Sequence, residues 1–545
     1  MNRNVLFPLL ILLAGGLFFF PFLGKVHLFD WDEINFAESA REMIVTGNYT
    51  QVQIDFQPFW EKPPLFFWLQ VLSMKLFGIN EFAARFPNAV SGIVTLLCLY
   101  FIGEKLYNAI FGFLWSLVYL GSFLPFFYFK SGIIDPIFNL FIFLSTYFLI
   151  QAIHFYKEKR ASRYTLLSGI FIGLAILTKG PVGLLILLLT FLTFWISKRF
   201  RPVISFKNLL LFGLSAFIVS TAWFGLEVLQ HGFWFLQRFI TYQAELFSRP
   251  VAGHQQPFYY HFVVLLFGCF PLSVFALFSL FQKNRDHTPY LQTFRQWMII
   301  LFLVVLILFT IVTTKIVHYS SMAYFPLSFL AAQYIYQLYT RRATWNKWNT
   351  ITLLFFGFVL SFSLAVFPLI LMNKQILVRY IRDKFAVAYL QAPVVWSGWE
   401  GLIGIFYFLA ILFALFQYKK RNTLAATSLL FLFTAASLFL YTALVIPKIE
   451  LYTQAAAIRF YQSLKGQHVY VHPVGFKSYA HLFYFDKQPA NNINSTHEEW
   501  LLNGAIDRPV YFVTKITHKY RLEGNPQVKF IKEENGFVFW RRDPL

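Results

Sequence analysis

Apolar runs of about 18 to 24 residues recur from the N-terminus to about residue 446, each long enough to cross a ~30 Å hydrocarbon core as a helix. Nothing else in the chain constrains its fold as strongly. With 58% hydrophobic and 13% charged residues in 545, the composition is that of an integral membrane protein. The runs fall at roughly 5–24, 86–107, 109–128, 133–154, 165–178, 181–197, 208–229, 258–281, 297–314, 318–338, 350–372, 400–417 and 423–446, about thirteen spans. The first follows Asn2-Arg3-Asn4 without a small-x-small cleavage site and is expected to stay as an anchor helix. From about Pro447 onward turn residues and short alternating stretches replace the apolar runs. Strands are expected around His468–His472, Pro509–Lys515 and Val528–Trp540. The expected organisation is an all-α polytopic membrane domain over 1–446 and a small α/β domain over 447–545.

Orientation follows from the loops. If the N-terminus is cytoplasmic, Lys157-Glu158-Lys159-Arg160, Lys198-Arg199-Phe200-Arg201, Lys283-Asn284-Arg285, Arg341-Arg342 and Lys419-Lys420-Arg421 lie on that side, as the positive-inside rule requires. An odd number of spans then places the C-terminal domain outside, in the periplasm of a Gram-negative cell. The net charge of +21 is accounted for by topology and anionic headgroups rather than by nucleic acid. Cys98 and Cys269 both lie in apolar runs and form no disulfide framework.

The first external loop, about 25–85, is longer than a connector and is expected to hold two helices lying at the interface. Ile34, Ala37, Ala40 and Ile44 form a helical stripe ended by Gly47-Asn48. Pro63-Pro64 suits the start of a second helix over Leu65 to Phe77, too short to span. Charged residues beside the apolar runs gather at the external ends: Asp32, Glu33, Glu61, Lys62, Lys130, Asp135, Lys179, His254, Lys315 and His318. Ionisable groups at membrane depth are costly and usually face a cavity or each other. Each also has a plain reading. Asp30 with Glu33 matches a capping box, and Asp32 suits a cap. Lys62 and Lys179 suit interfacial anchors, Asp135-Pro136 suits a helix start, and Arg249 and His254 fall in a long external loop. Several lysines on one face nevertheless favour an anion site.

In order and spacing, Asp32-Glu33, Phe36-Ala37-Glu38-Ser39-Ala40-Arg41-Glu42-Met43, Glu61-Lys62-Pro63-Pro64, Asn80-Glu81-Phe82-Ala83-Ala84-Arg85, Asp135-Pro136 and Leu177-Thr178-Lys179-Gly180-Pro181-Val182-Gly183 resemble the GT-C glycosyltransferases. The lipid A aminoarabinose transferases are the nearest group, relatives of the protein O-mannosyltransferases. The resemblance implies a GT-C fold and transfer of a sugar from a polyprenyl (undecaprenyl) monophosphate to an envelope acceptor, lipid A first and a secreted protein serine or threonine second. It implies Asp32 as catalytic acid/base; by their placement Glu33 and Asp135 are candidate further catalytic acids. The positions of Lys62 and Lys179 would serve the donor phosphate and those of Glu61 and His254 would hold a zinc ion; beyond the resemblance, charge stabilisation of the leaving phosphate makes Lys315 and Arg249 further candidates. Asn35 and His318 complete the candidate site. Asn35 is a departure, standing where the aminoarabinose transferases carry an arginine three residues after the aspartate. No glycine-rich phosphate loop is present, so no nucleotide cofactor is expected. The reading from another class is a lipid or sugar transporter, which the absence of an internal repeat and the one-sided charges disfavour.

Overall fold

The computed structural model describes residues 3–248, 256–282, 288–490 and 492–544. Every apolar run is helical. Among the described residues, eight helices are long and apolar enough to cross a membrane. A ninth span forms if Tyr260–Gly268 and Leu272–Phe281, bent by 113° at the Cys269-Phe270-Pro271 break, are counted as one. Helix length therefore does not carry the count of thirteen. Arg3–Phe19, Ala109–Leu120 and Val182–Ser197 are apolar but shorter. Two further expected spans are interrupted. Residues 109–128 divide into Ala109–Leu120 and Phe123–Tyr128. At the break, a Cβ on Gly121 would lie 2.2 Å from the Phe431 carbonyl oxygen, so close approach of the Thr423–Leu444 helix requires glycine. Residues 318–338 begin as a 3₁₀ segment, Val317–Ala323, before the buried helix Tyr324–Tyr339.

The first loop folds as two helices, Asp32–Thr46 and Leu65–Phe77, joined by a short hairpin of Gln53–Ile54 with Gln57–Pro58. Ile34, Ala37 and Ala40 are fully buried along the expected stripe, and Gly47 ends the helix at φ 70°. The capping box is not formed. Trp31 holds the N-cap without a side-chain bond, Asp30 Oδ1 accepts from the Tyr479 N–H at 3.3 Å, and Glu33 reaches past the cap to Phe29 N at 3.0 Å. Tertiary partners outcompete the local motif.

The C-terminal part carries one four-stranded sheet. Tyr470–Val474 runs parallel to Val510–Lys515, which pairs antiparallel with Phe537–Arg542, itself antiparallel to Val528–Glu534. The single strand expected over Val528–Trp540 is thus a hairpin, turned at Asn535-Gly536 with both φ positive, the chemistry of a two-residue turn. The strand expected at His468–His472 lies at Tyr470–Val474.

This sheet unit does not stand apart. Val471, Val513, Phe537 and Phe539 join one continuous core with the helices, while Val474, Val510, Phe512 and Trp540 pack a separate small core. Arg41, fully buried, binds Glu38 twice (2.8 and 2.7 Å), Asp486 at 3.0 Å and the Lys487 carbonyl at 2.8 Å. Lys487 pairs with Asp55, His27 Nδ1 lies 2.9 Å from Glu450, and the Tyr484 hydroxyl accepts from Leu28 N. These contacts seat the C-terminal unit on the first loop.

Candidate active site

The Asp32–Thr46 helix, the Glu61-Lys62 turn, the start of Asp135–His154, the end of Arg160–Lys179 and the 3₁₀ segment at His318 converge on a cavity of about 490 Å³. Charged side chains appear at these positions because each lies at an element end, where the backbone leaves the apolar layer. Asp32, in the first helical turn, keeps its side chain 42% exposed toward the cavity, with His318 Nε2 3.6 Å from Oδ2. Unlike Glu33 and Asp135, it has no short ion pair among the described residues.

Asp135 and Lys179, expected as an acid and a phosphate ligand, bind each other at 2.5 Å. Lys62 lies with its Nζ 5.5 Å from the centre of the Tyr242 ring and has no ion pair among the described residues. Burial pulls its ammonium below the ordinary lysine value, with Glu61 opposing and Lys179 reinforcing the shift. Glu61 Oε2 accepts from the Tyr242 hydroxyl at 2.6 Å.

Glu33 borders the cavity, but its oxygens are committed. Oε1 takes Arg85 Nε at 3.0 Å and Gly132 N at 2.5 Å, and Oε2 takes Arg85 Nη2 at 2.8 Å and Phe29 N at 3.0 Å. Burial pushes this carboxyl upward, yet the guanidinium and the two N–H groups outweigh it and hold the group below the ordinary glutamate value. With no acceptor position left for a proton in transit, Glu33 ties the helix to Arg85, and Arg85 binds the carbonyls of Leu23, Val26 and His27. Lys315 also departs from expectation. Its neighbours Thr314 and Ile316 line the cavity while its own Nζ turns to the Val312 carbonyl at 2.9 Å. Lys130 donates to the carbonyls of Phe18, Phe19 and Pro21, ending the first helix rather than facing the site. Arg249 and His254 lie outside the described residues.

Several wall residues escaped the sequence reading. Tyr242 belongs to a helix, Phe233–Ser248, in the region read as an external loop; buried Phe235 and Phe239 with Tyr242 follow a helical stripe that was legible there. Tyr319 is carried by the 3₁₀ segment, which was read as part of a plain span. Lys477 and Tyr479 come from the C-terminal unit, with Lys477 Nζ 5.0 Å from the Trp31 ring centre. No local pattern marks them, because they reach the cavity only by tertiary packing.

A narrow apolar slot of about 50 Å³ leaves the cavity between Phe138, Val182, Ile186, Phe309, Val312 and Met322. It shares Lys62, Asp135, Lys179 and Tyr319 with the polar chamber. Among the described residues no three His, Cys, Asp or Glu side chains gather as a metal site; Glu61 is the one described member of the expected pair. The arrangement offers an open carboxylate, an unpaired ammonium and an apolar exit, which suits an amphiphile with an anionic head. A polytopic helical fold with such a chamber at its helix ends is what the resemblance of the motifs implies.

Comparison with known proteins agrees. Residues 61–223 match the family described as dolichyl-phosphate-mannose-protein mannosyltransferase. The chain is 28% identical over 326 residues to undecaprenyl phosphate-alpha-4-amino-4-deoxy-L-arabinose arabinosyl transferase 2 of Proteus mirabilis, covering 58% of this chain and 57% of that one. It is 27% identical over 380 residues to the corresponding transferase of Shewanella sediminis, covering 68% and 66%. The alignments thus span less than two thirds of these relatives' lengths. The crystal structure of ArnT from Cupriavidus metallidurans bound to undecaprenyl phosphate superposes with a TM-score of 0.79 at 16% identity, covering 98% of this chain and 97% of that one. The resemblance read from the motifs is therefore matched in sequence and, over nearly the whole chain, in fold.

Proposed function

We propose that this protein is a membrane glycosyltransferase that moves a sugar from a polyprenyl, in bacteria undecaprenyl, monophosphate to an envelope acceptor, lipid A foremost. The observation that carries the reading is continuity: Lys62 and Lys179 stand where the polar chamber meets the apolar slot, as a phosphate joined to a prenyl chain requires. The names of the curated relatives support the donor and the reaction.

In this reading the bond between the anomeric carbon and the phosphate oxygen breaks, and the polyprenyl phosphate leaves as an anion beside Lys62. One preorganised donor of this kind contributes about 2.7–4 kcal/mol at a transition state. The Lys179–Asp135 pair keeps the second ammonium oriented. Asp32 faces the developing positive charge at the anomeric carbon and, for a hydroxyl acceptor, takes the proton that the attacking oxygen loses. An ionised phosphate acceptor has no such proton to lose.

The roles of Glu61 and His254 as zinc ligands belong to the same proposal. Transfer that persists after exhaustive chelation would discard them. A secreted protein hydroxyl is the second acceptor class, favoured by the mannosyltransferase match over residues 61–223. The cytoplasmic N-terminus and periplasmic C-terminal unit are part of the reading too. The cavity lies at the Asp135 and Lys179 ends of helices whose opposite ends carry Lys157–Arg160.

The test is reconstitution of purified protein in proteoliposomes with undecaprenyl phosphate-4-amino-4-deoxy-L-arabinose and lipid A. Appearance of modified lipid A with release of undecaprenyl phosphate is the expected result. Movement of the donor across the bilayer without a covalent product would instead make the protein a transporter.

A further inference from the structure

Asn35, expected as part of the chamber, borders it with an Oδ1 enclosed in the wall, out of a ligand's reach. A second cavity, of about 470 Å³, has no role in the scheme above. Cys98, Phe101 and Lys105 on the Glu81–Leu106 helix form one wall. Leu144, Phe148, Gln151 and His154 on the Asp135–His154 helix form another, and Tyr290 closes the rim. Spacings of three and four keep each set on one face of its helix. Asp135, at the chamber, and His154 stand at opposite ends of one helix, ~28 Å apart at 1.5 Å per residue, so the two cavities are separate.

Both helices start beside the chamber, and on both the lining turns from apolar to polar toward the far end. Cys98 and Phe101 precede Lys105, and Leu144 and Phe148 precede Gln151 and His154. Gln151 donates to the Tyr290 hydroxyl, and the His154 ring lies 4.4 Å from that of Tyr290, so the polar rim is preformed. Lys105 has no ion pair or hydrogen bond among the described residues, and neither Asp nor Glu lines the cavity. Aromatic walls alone would suit a quaternary ammonium. An ammonium at the mouth with no carboxylate to offset it selects an anion instead. Phe101, 46% exposed, opens the apolar side toward the bilayer. In the orientation proposed above this end is cytoplasmic, and basic pockets between spans on that face hold anionic headgroups. We propose that the cavity is a binding site for an anionic phospholipid of the cytoplasmic leaflet, with its phosphate at Lys105 and His154 and an acyl chain along Phe101, Leu144 and Phe148. A zwitterionic phospholipid brings its own ammonium to Lys105 and loses that attraction. Because the site exists only in the packed bundle, bound lipid stabilises the folded protein by mass action.

The experiment titrates delipidated full-length protein in detergent with dioleoyl phosphatidylglycerol or dioleoyl phosphatidylethanolamine, reading binding by native mass spectrometry and stability by thermal melting. Wild type should bind phosphatidylglycerol about 5-fold or more tightly than phosphatidylethanolamine and melt higher in its presence. Lys105→Gln should remove most of that preference and Lys105→Arg should keep it. Leu144→Trp, which fills the apolar side, should weaken binding of both lipids. Lys420→Gln, in a basic loop of the same face outside the cavity, should match wild type. Melting without added lipid separates misfolding from lost contact. Equal binding of the two lipids by wild type, or equal loss of preference in Lys105→Gln and Lys420→Gln, overturns the site in favour of a general attraction of basic loops for anionic lipid. Undiminished affinity in Leu144→Trp overturns it as well. The transferase reading stands apart from these outcomes, because none of the variants touches the chamber.

Discussion

Lys62→Ala should lower transfer by about 100-fold or more, on the scale of one lost oxyanion donor, with the protein still folded. Its acid–base behaviour gives a sharper test. Because burial holds the Lys62 ammonium below the ordinary lysine value, the free enzyme loses this charge as pH rises, earlier than an exposed lysine would. The alkaline limb of kcat/KM, which reports the free enzyme, should therefore fall below the usual lysine range. In Lys62→Arg the guanidinium stays charged, and that limb should move to higher pH; an unmoved limb would remove Lys62 from the donor site. These residues were legible in the sequence for a simple reason. A charge at the edge of an apolar run has few uses, and Asp32, Lys62, Asp135 and Lys179 all fall there. Their pairing was not legible, since Lys179 meets Asp135 across 44 positions of sequence.

At the scale of elements, the Asp32–Thr46 helix is pinned by Glu33 to Arg85, 52 residues away. Glu33→Gln strands a buried guanidinium and should cost on the order of 3–5 kcal/mol, read as a fall in Tm. The folded Glu33 carboxyl titrates below its unfolded value. Its contribution is therefore complete above the unfolded value and is lost as pH falls through the folded one. The Tm gap between wild type and Glu33→Gln should accordingly be wide at neutral pH and close in acid. A gap that does not change with pH would mean that charge is not what Glu33 supplies. Here the local reading went astray for a physical reason: Asp30 and Glu33 have the spacing of a capping box, but Tyr479 and Arg85 offer them stronger partners. The missed Phe233–Ser248 helix is a different case. Its stripe was present in the sequence, in a stretch left between two spans and read as part of an external loop.

For the whole molecule, the account requires the chamber and the slot to work as one. Val182→Phe, which fills the slot, should cut transfer by about 10-fold or more, while Leu188→Phe on the exposed side of the same helix should leave it unchanged. Equal effects would point to general damage rather than a prenyl path. The membrane architecture and the first-loop helices were readable from run length and periodicity. The roof of the site was not, because Lys477 and Tyr479 are brought there by a C-terminal unit whose docking rests on pairs such as Arg41–Asp486. The most direct test of the whole is mass spectrometry of lipid A and other envelope glycoconjugates from a deletion strain complemented with wild type or with Asp32→Asn. A defined sugar mass that disappears in the deletion, returns with wild type and stays absent or falls about 100-fold with Asp32→Asn is the predicted result, and it names the acceptor. An unchanged mass profile in every fraction, in cells that make the lipid-linked sugar, would contradict the account.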